Sequence, residues 1–166
     1  NRVVITGCGV VTAAGNELEP FWRSLMAGEC LIKPLVNFAW PELGPLLGAE
    51  VVLPAEDRLP ESLDQDARRA RCLELALAAA RRAVRDSALP LDADARQATG
   101  VAFATTLGEE RQVGDLNERR AVDGDGAIDP GFFARCNNHR LAGQIARAYQ
   151  LEGPVHLAAT ACSASA

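Results

Sequence analysis

The amino-acid sequence predicts an α/β fold, in which strands and helices alternate along the chain. Three short runs of β-branched and apolar residues have the character of buried strands, at residues 2–7, 99–105 and 155–159. Between them lie segments with helical periodicity or helix end signals, at residues 18–26, 62–84 and 138–149. Alternation of this kind is typical of layered α/β proteins.

The first strand, residues 2–7, is expected to be covered on both faces and to end in a glycine turn. A helix is predicted from Leu18 to Met26, with Phe21, Trp22 and Leu25 on one side and Gly28 as its stop signal. Residues 33–61 contain five prolines and are interpreted as a loop with a short strand at residues 49–53.

The clearest predicted helix begins at a capping box formed by Ser62 and Gln65. Its apolar stripe has spacings of three and four residues and consists of Ala70, Leu73, Leu77, Ala80 and Val84. Residues 114–131 are rich in Asp and Gly and are expected to form a loop, after which Asn137 or Asn138 caps a helix that runs to about Tyr149. A turn at Gly153-Pro154 then leads into the third strand.

Composition excludes several classes of protein. The chain has 166 residues, which suggests one domain or part of a larger one, and its net charge of −5 argues against binding to nucleic acid. No apolar run is long enough to span a membrane, and no secretory signal is visible. The five cysteines are widely spaced, and neither histidine lies near a cysteine pair, so we expect no metal site and no disulfide framework. Free thiols fit a reducing cytoplasm.

Cys162 is the main candidate for a catalytic residue. It follows a strand at a sharp turn among small residues, where a substrate could approach its sulfur closely. If a helix starts there, its amides would stabilise the thiolate and an oxyanion. The alternative is a small buried cysteine that only packs. His139 and His156 are possible general bases, although neither is obviously aimed at the thiol.

Gly7-Cys8-Gly9 resembles the start of a dinucleotide fingerprint, but Thr12 replaces its third glycine, so that interpretation is rejected.

Five segments in order resemble the β-ketoacyl-acyl-carrier-protein synthases. They are the opening VVITGCGVVT at residues 3–12 with Gly15, the Phe21-Trp22 segment up to Ile32-Lys33-Pro34, and the sequences ALAAAR at 76–81, LAGQIA at 141–146 and TACSAS at 160–165. The five segments are spread over nearly the whole length of the chain, from residue 3 to residue 165. Departures at Arg69-Ala70-Arg71, at Asn138-His139 and in residues 109–126 suggest a divergent branch of the family.

The resemblance implies a thiolase-like fold with layers in the order α/β/α/β/α, of which this chain would be the N-terminal half. It implies that Cys162 accepts an acyl group from an acyl carrier protein or coenzyme A thioester and that its amide forms half of an oxyanion hole. By position, Leu107 and Phe133 match residues that line the acyl pocket, Phe133 across a dimer interface. No cofactor is implied. Residues 1–166 would be the N-terminal part of a synthase domain, truncated just after the nucleophile.

Several functions stay open under this resemblance. The first is a condensing enzyme of fatty-acid or polyketide synthesis, which would be inactive as this fragment because the family's two catalytic histidines and lysine lie further along the chain. The second is an acyltransferase or loading subunit that uses Cys162 without condensation. The third is a non-catalytic partner subunit, which the presence of Cys162 argues against. The whole protein is expected to be a homodimer or heterodimer.

Overall fold

The computed structural model describes residues 2–37, 41–58, 71–108, 110–124, 126, 131–132 and 137–164. It divides into two compact units, one formed by Asn1–Arg58 with Leu77–Leu89 and the other by Leu59–Ala76 with Pro90–Ala166. Among the described residues, no helix has the length and apolar character that crossing a membrane requires.

The described residues of the first unit form one complete α-helix and part of a second. Helix α1 is Leu18–Ala27, which confirms the predicted helix, and Gly28 ends it. Strands β1 (Lys33–Pro34) and β2 (Leu47–Gly48) form a short antiparallel pair. The strand expected at residues 49–53 is absent from this described stretch, and that prediction was wrong. Short 3₁₀ turns lie at Pro41–Leu43 and Ala55–Asp57.

Helix α2 spans Arg71–Ser87, and its residues 77–87 belong to the first unit. The expected capping box at Ser62 and Gln65 lies outside the described residues. Within the first unit, α2 buries Ala78 completely and Arg82 almost completely, while the predicted stripe residues Leu77, Ala80 and Val84 are half-buried. The covered face of the helix is therefore not purely apolar.

The N-terminal segment differs from its prediction. Val3 and Ile5 are 92% and 86% exposed, and no strand is formed over residues 2–10. A buried parallel strand needs neighbours at its edges and layers on its faces, and the described residues of the first unit supply neither. The following glycines do pack: a Cβ at Gly7 would lie 2.4 Å from the Ser87 nitrogen, and one at Gly9 would lie 2.1 Å from the Ala79 oxygen. The Gly-Cys-Gly sequence thus lets the backbone lie directly on α2.

The loop between β1 and the 3₁₀ turn at Ala55–Asp57 is fixed by a carboxylate. The backbone amides of Val36 and Asn37 each donate to Glu50 at 2.9 Å. These bonds, Val36's first, hold the pKa of the Glu50 carboxyl below its ordinary value because they stabilise the charged form. The carboxylate therefore ties residues 36–37 to the chain that follows β2.

The second unit contains a strand–helix–strand arrangement. Helix α3 (Ala93–Ala98) precedes strand β3 (Val101–Ala104), then come helices α4 (Glu110–Asp123) and α5 (His139–Tyr149) and strand β4 (Val155–Ala158). Strands β3 and β4 are parallel, with Val101 opposite Val155 and Phe103 opposite Leu157. Both strands and α5 confirm their predictions. Helix α4 overturns the expected loop at residues 114–131 where the two overlap.

Helix α5 packs against both strands and supplies four of the buried apolar residues described in this unit. These are Leu141, Ala142, Ile145 and Ala146, while Leu116 of α4 and Phe132 are also buried. At its start, the side-chain oxygen of Asn137 accepts from the His139 amide at 2.9 Å, so Asn137 supplies the capping bond. The opposite face of the strand pair, which carries Ala102, Ala104 and His156, is exposed.

Candidate functional site

Cys162 lies in a 3₁₀ turn, Ala161–Ser163, that follows strand β4. Its thiol is free and exposed, and so are those of Cys8 and Cys30. Its role as a nucleophile and the alternative of a packing cysteine both stay predictions. A helix starting at Cys162 is not tested, because residues 165–166 lie outside the described part of the chain.

The backbone turns sharply just before the nucleophile candidate. Ala161 has a φ of 52°, in the left-handed region that non-glycine residues rarely adopt. Such a conformation costs about 1–2 kcal/mol and persists only where neighbouring bonds hold it. Two hydrogen bonds within residues 160–164 stabilise the turn. The Ser163 amide donates to the Thr160 oxygen at 3.2 Å, and the Ala164 amide donates to the Ala161 oxygen at 3.0 Å.

A second turn, at the end of β3, is bonded to the first. Thr106 donates its hydroxyl proton to the Ala161 oxygen at 3.2 Å, and the Thr105 amide donates to the Ala158 oxygen at 3.2 Å. Because β3 and β4 are parallel, their carboxyl ends lie at the same edge of the sheet. That edge is where α/β proteins commonly bind ligands.

Leu107 belongs to this second turn and is 58% exposed. The Asn138 side-chain amide donates to its carbonyl at 3.5 Å, and the Gly108 amide donates to the Thr105 hydroxyl at 3.0 Å. The structure therefore brings the predicted pocket residue Leu107 into a turn that is hydrogen-bonded to the turn of Cys162. Phe133, the other predicted pocket residue, lies outside the described residues.

The two histidines are separate from this arrangement. His156 is exposed on β4 opposite Ala102, and His139 is the first residue of α5. No hydrogen bond recorded within the described segments connects either imidazole to Cys162. The described residues also include no group of three His, Cys, Asp or Glu side chains that could hold a metal ion.

Three residues at this site were not found from the sequence: Thr106, Ala161 and Asn138, the last of which was considered only as a helix cap. The threonine pair Thr105-Thr106 directly after β3 was the available signal for Thr106. Its partner Ala161 is 55 positions away, so the bond depends on the strand register.

Gly108 is the tightest position in this site, and Gly108→Ala is expected to destabilise the second unit by about 1–2 kcal/mol. Its φ is 66°, and an added Cβ would lie 1.9 Å from the Asn138 side-chain oxygen. Asn138 would have to move and release the Leu107 carbonyl. Urea unfolding measures the change. Gly143→Ala in α5 is the matched control, because nothing lies within 4 Å of its added Cβ, and it should stabilise by up to about 1 kcal/mol. Equal stability of wild type and Gly108→Ala would contradict the prediction.

Comparisons with known proteins were consistent with one another. The sequence model described as "Beta-ketoacyl synthase, N-terminal domain" matches residues 1–166. A 3-oxoacyl-[acyl-carrier-protein] synthase 2 of Coxiella burnetii is 28% identical over 98% of this chain and 39% of its own length. A Streptomyces rimosus protein named as an oxytetracycline polyketide β-ketoacyl synthase is 31% identical over 98% of this chain and 39% of its own.

Two solved structures share the fold. The ishigamide ketosynthase/chain length factor superposes with a TM-score of 0.77 at 29% identity, over 95% of this chain and 39% of its own. A β-ketoacyl synthase from Burkholderia phymatum gives 0.73 at 22% identity, over 98% and 40%. The likeness confirms the predicted α/β, thiolase-like fold class for the N-terminal half. The chain spans about two-fifths of the length of the relatives that it matches.

Proposed function

The chain belongs to the β-ketoacyl synthase family, and from this we propose that the whole protein is a β-ketoacyl-acyl-carrier-protein synthase of fatty-acid or polyketide synthesis. Residues 1–166 are then the N-terminal part of its synthase domain. The observation that carries the proposal is the exposed Cys162 thiol on a left-handed turn after β4. The relatives' names support the acyl carrier protein as the partner that delivers the substrate.

The proposed reaction has two stages. In the first, the Cys162 thiolate attacks the carbonyl of an acyl thioester, the bond from that carbonyl to the carrier's sulfur breaks, and the carrier leaves as a thiolate that takes a proton from water. In the second, a malonyl thioester loses carbon dioxide, and its carbanion attacks the acyl carbonyl. The bond to Cys162 then breaks, the thiolate is regenerated, and the product is a β-ketoacyl thioester two carbons longer.

Residues of this part of the chain have separate proposed roles in the reaction. The exposed turn gives a thioester access to the sulfur, and the Cys162 amide enters none of the hydrogen bonds recorded among the described residues, so it can donate to the oxygen of a tetrahedral intermediate. Leu107 is proposed to contact the acyl chain, and its 58% exposure beside the same turn supports that role. Phe133 is proposed as a second contact on resemblance alone. Groups for decarboxylation would come from the rest of the protein.

Reaction with a carrier-bound acyl thioester and a malonyl carrier protein tests the proposal. The full-length protein is expected to give a β-ketoacyl thioester, detected by mass spectrometry. An acyl adduct without carbon dioxide release would instead identify a loading acyltransferase, and a full-length protein that forms no acyl adduct would be a non-catalytic partner.

The free thiols of Cys8, Cys30 and Cys162 fit the cytoplasm, which we propose as the compartment of the protein.

A further inference from the structure

We infer that the Thr106 hydroxyl positions the oxyanion-binding amide of Cys162. The inference rests on the proposed function, because it assigns a role within the acyl transfer to Cys162. The observation behind it is the hydrogen bond of 3.2 Å from the Thr106 hydroxyl to the carbonyl oxygen of Ala161.

The carbonyl of Ala161 and the amide of Cys162 are the two ends of one peptide group. A trans peptide is planar, so its C=O and N–H point in opposite directions and turn together. A bond that fixes the direction of the Ala161 oxygen therefore also fixes the direction of the Cys162 N–H. Thr106 holds the carbonyl end of the peptide group from the turn after β3, and the Cys162 N–H is at the other end.

This peptide group needs an external restraint. Ala161 is in the left-handed region with a φ of 52°, and Thr160 before it has a φ of −110° and a ψ of 37°. The bond from the Ala164 amide to the same carbonyl comes from within the turn, only three residues away. Thr106 is 55 positions away on another strand end, so its bond anchors the turn to the sheet. Without it, the turn could relax toward a less strained conformation and rotate the Cys162 amide.

The bond also has an electronic effect. A carbonyl that accepts hydrogen bonds polarises its peptide group, which makes the N–H at the other end a stronger donor. The Ala161 carbonyl accepts two, from Thr106 and from Ala164. Both effects favour an amide that is ready to stabilise the developing oxyanion before the substrate arrives, which is the condition under which such donors contribute most.

Alkylation and acylation of Cys162 separate this role from a general structural one. Iodoacetamide alkylates a thiolate by displacement at carbon and forms no oxyanion, whereas an acyl thioester passes through one. Loss of a whole oxyanion donor slows a reaction by about 10²–10³-fold. Thr106→Val keeps the shape of the side chain and removes its hydroxyl, so that the Cys162 amide is still present but is no longer held by that bond. We expect its acylation rate to fall by about tenfold and its alkylation rate to change by less than about twofold.

Thr106→Ser is the matched variant, because it keeps the hydroxyl, and its acylation rate should return to near that of the wild type. Both rates are measured by intact mass on the full-length protein. Unchanged acylation in Thr106→Val would overturn the inference while leaving the proposed function standing. Equal loss of both rates, with no recovery in Thr106→Ser, would also overturn it by indicating a structural role. A wild-type protein that alkylates at Cys162 but never acylates would overturn the proposed function and this inference with it.

Discussion

Cys162→Ala in the full-length protein is expected to abolish the acyl adduct and to reduce β-ketoacyl product formation by at least about 10³-fold, because no other atom can take the place of a covalent nucleophile. The thiol lies exposed on the turn after β4, so its removal leaves the packing of the second unit unchanged. Intact mass after incubation with an acyl thioester measures the adduct, and peptide mapping locates it.

Cys8→Ala is the matched control for that experiment. Cys8 is also an exposed free thiol, but its recorded hydrogen bond, from the backbone amide to Asp86 at 2.9 Å, does not involve the sulfur. This variant should keep both the adduct and the activity. An adduct that survives in Cys162→Ala, or one that maps to Cys8, would contradict the assignment of the nucleophile.

Helices α1 and α5 and strands β3 and β4 could be predicted because their signals are local, whereas the short helix α3 was not predicted. Helix α1 and helix α5 carry end signals within a few residues of their observed bounds, and β3 and β4 are short apolar runs between turns. The burial of individual side chains could not be predicted in the same way, since it depends on which distant segments pack against them. Trp22 and Leu25 form the expected helix and yet are 59% and 57% exposed, and Val3 and Ile5 form no strand.

Helix α4 was missed because its stability does not come from an apolar stripe. The sequence ERQVGDLNERRAVD is dominated by charged and amide side chains, several of which have high helix propensity. Leu116 is its one buried apolar residue, and Gln112, one turn earlier, is also buried. The Asp and Gly residues of this segment indicated a loop, but the helix propensity of the Glu, Gln and Arg residues between them is the stronger effect.

The site shows the same division between local and non-local information. Cys162 is predicted as the nucleophile from its own surroundings, because a strand, a turn and small neighbours are all adjacent in sequence. The restraint on its turn could not, because Thr106 reaches Ala161 only through the register of β3 and β4. The Asn138 side chain likewise contacts Leu107, which is 31 positions away in the sequence, and the neighbouring Gly108.

Asp57→Ala is expected to lower the stability of the first unit by about 3–5 kcal/mol, the usual cost of removing one partner of a buried ion pair. Asp57 is 3% exposed and accepts from Arg81 at 2.9 Å and from Arg82. Arg82 is 7% exposed and would keep only a 3.5 Å ion pair with Glu17 and its bond to the Ala78 carbonyl. The midpoint of thermal unfolding should fall by about 10 °C.

Two further variants separate the buried charge from the loss of a side chain. Glu19→Ala removes a carboxylate from an exposed pair with Arg23, in which both side chains are at least 75% exposed, and should cost less than about 0.5 kcal/mol. Replacing both buried partners, Asp57→Leu with Arg82→Met, should recover most of the loss, because no buried charge is then left unpaired and Arg81, which also loses Asp57, is half-exposed to solvent. If the double variant were as unstable as Asp57→Ala, the cost would come from the 3₁₀ turn at Ala55–Asp57 and its bond to Arg81 instead.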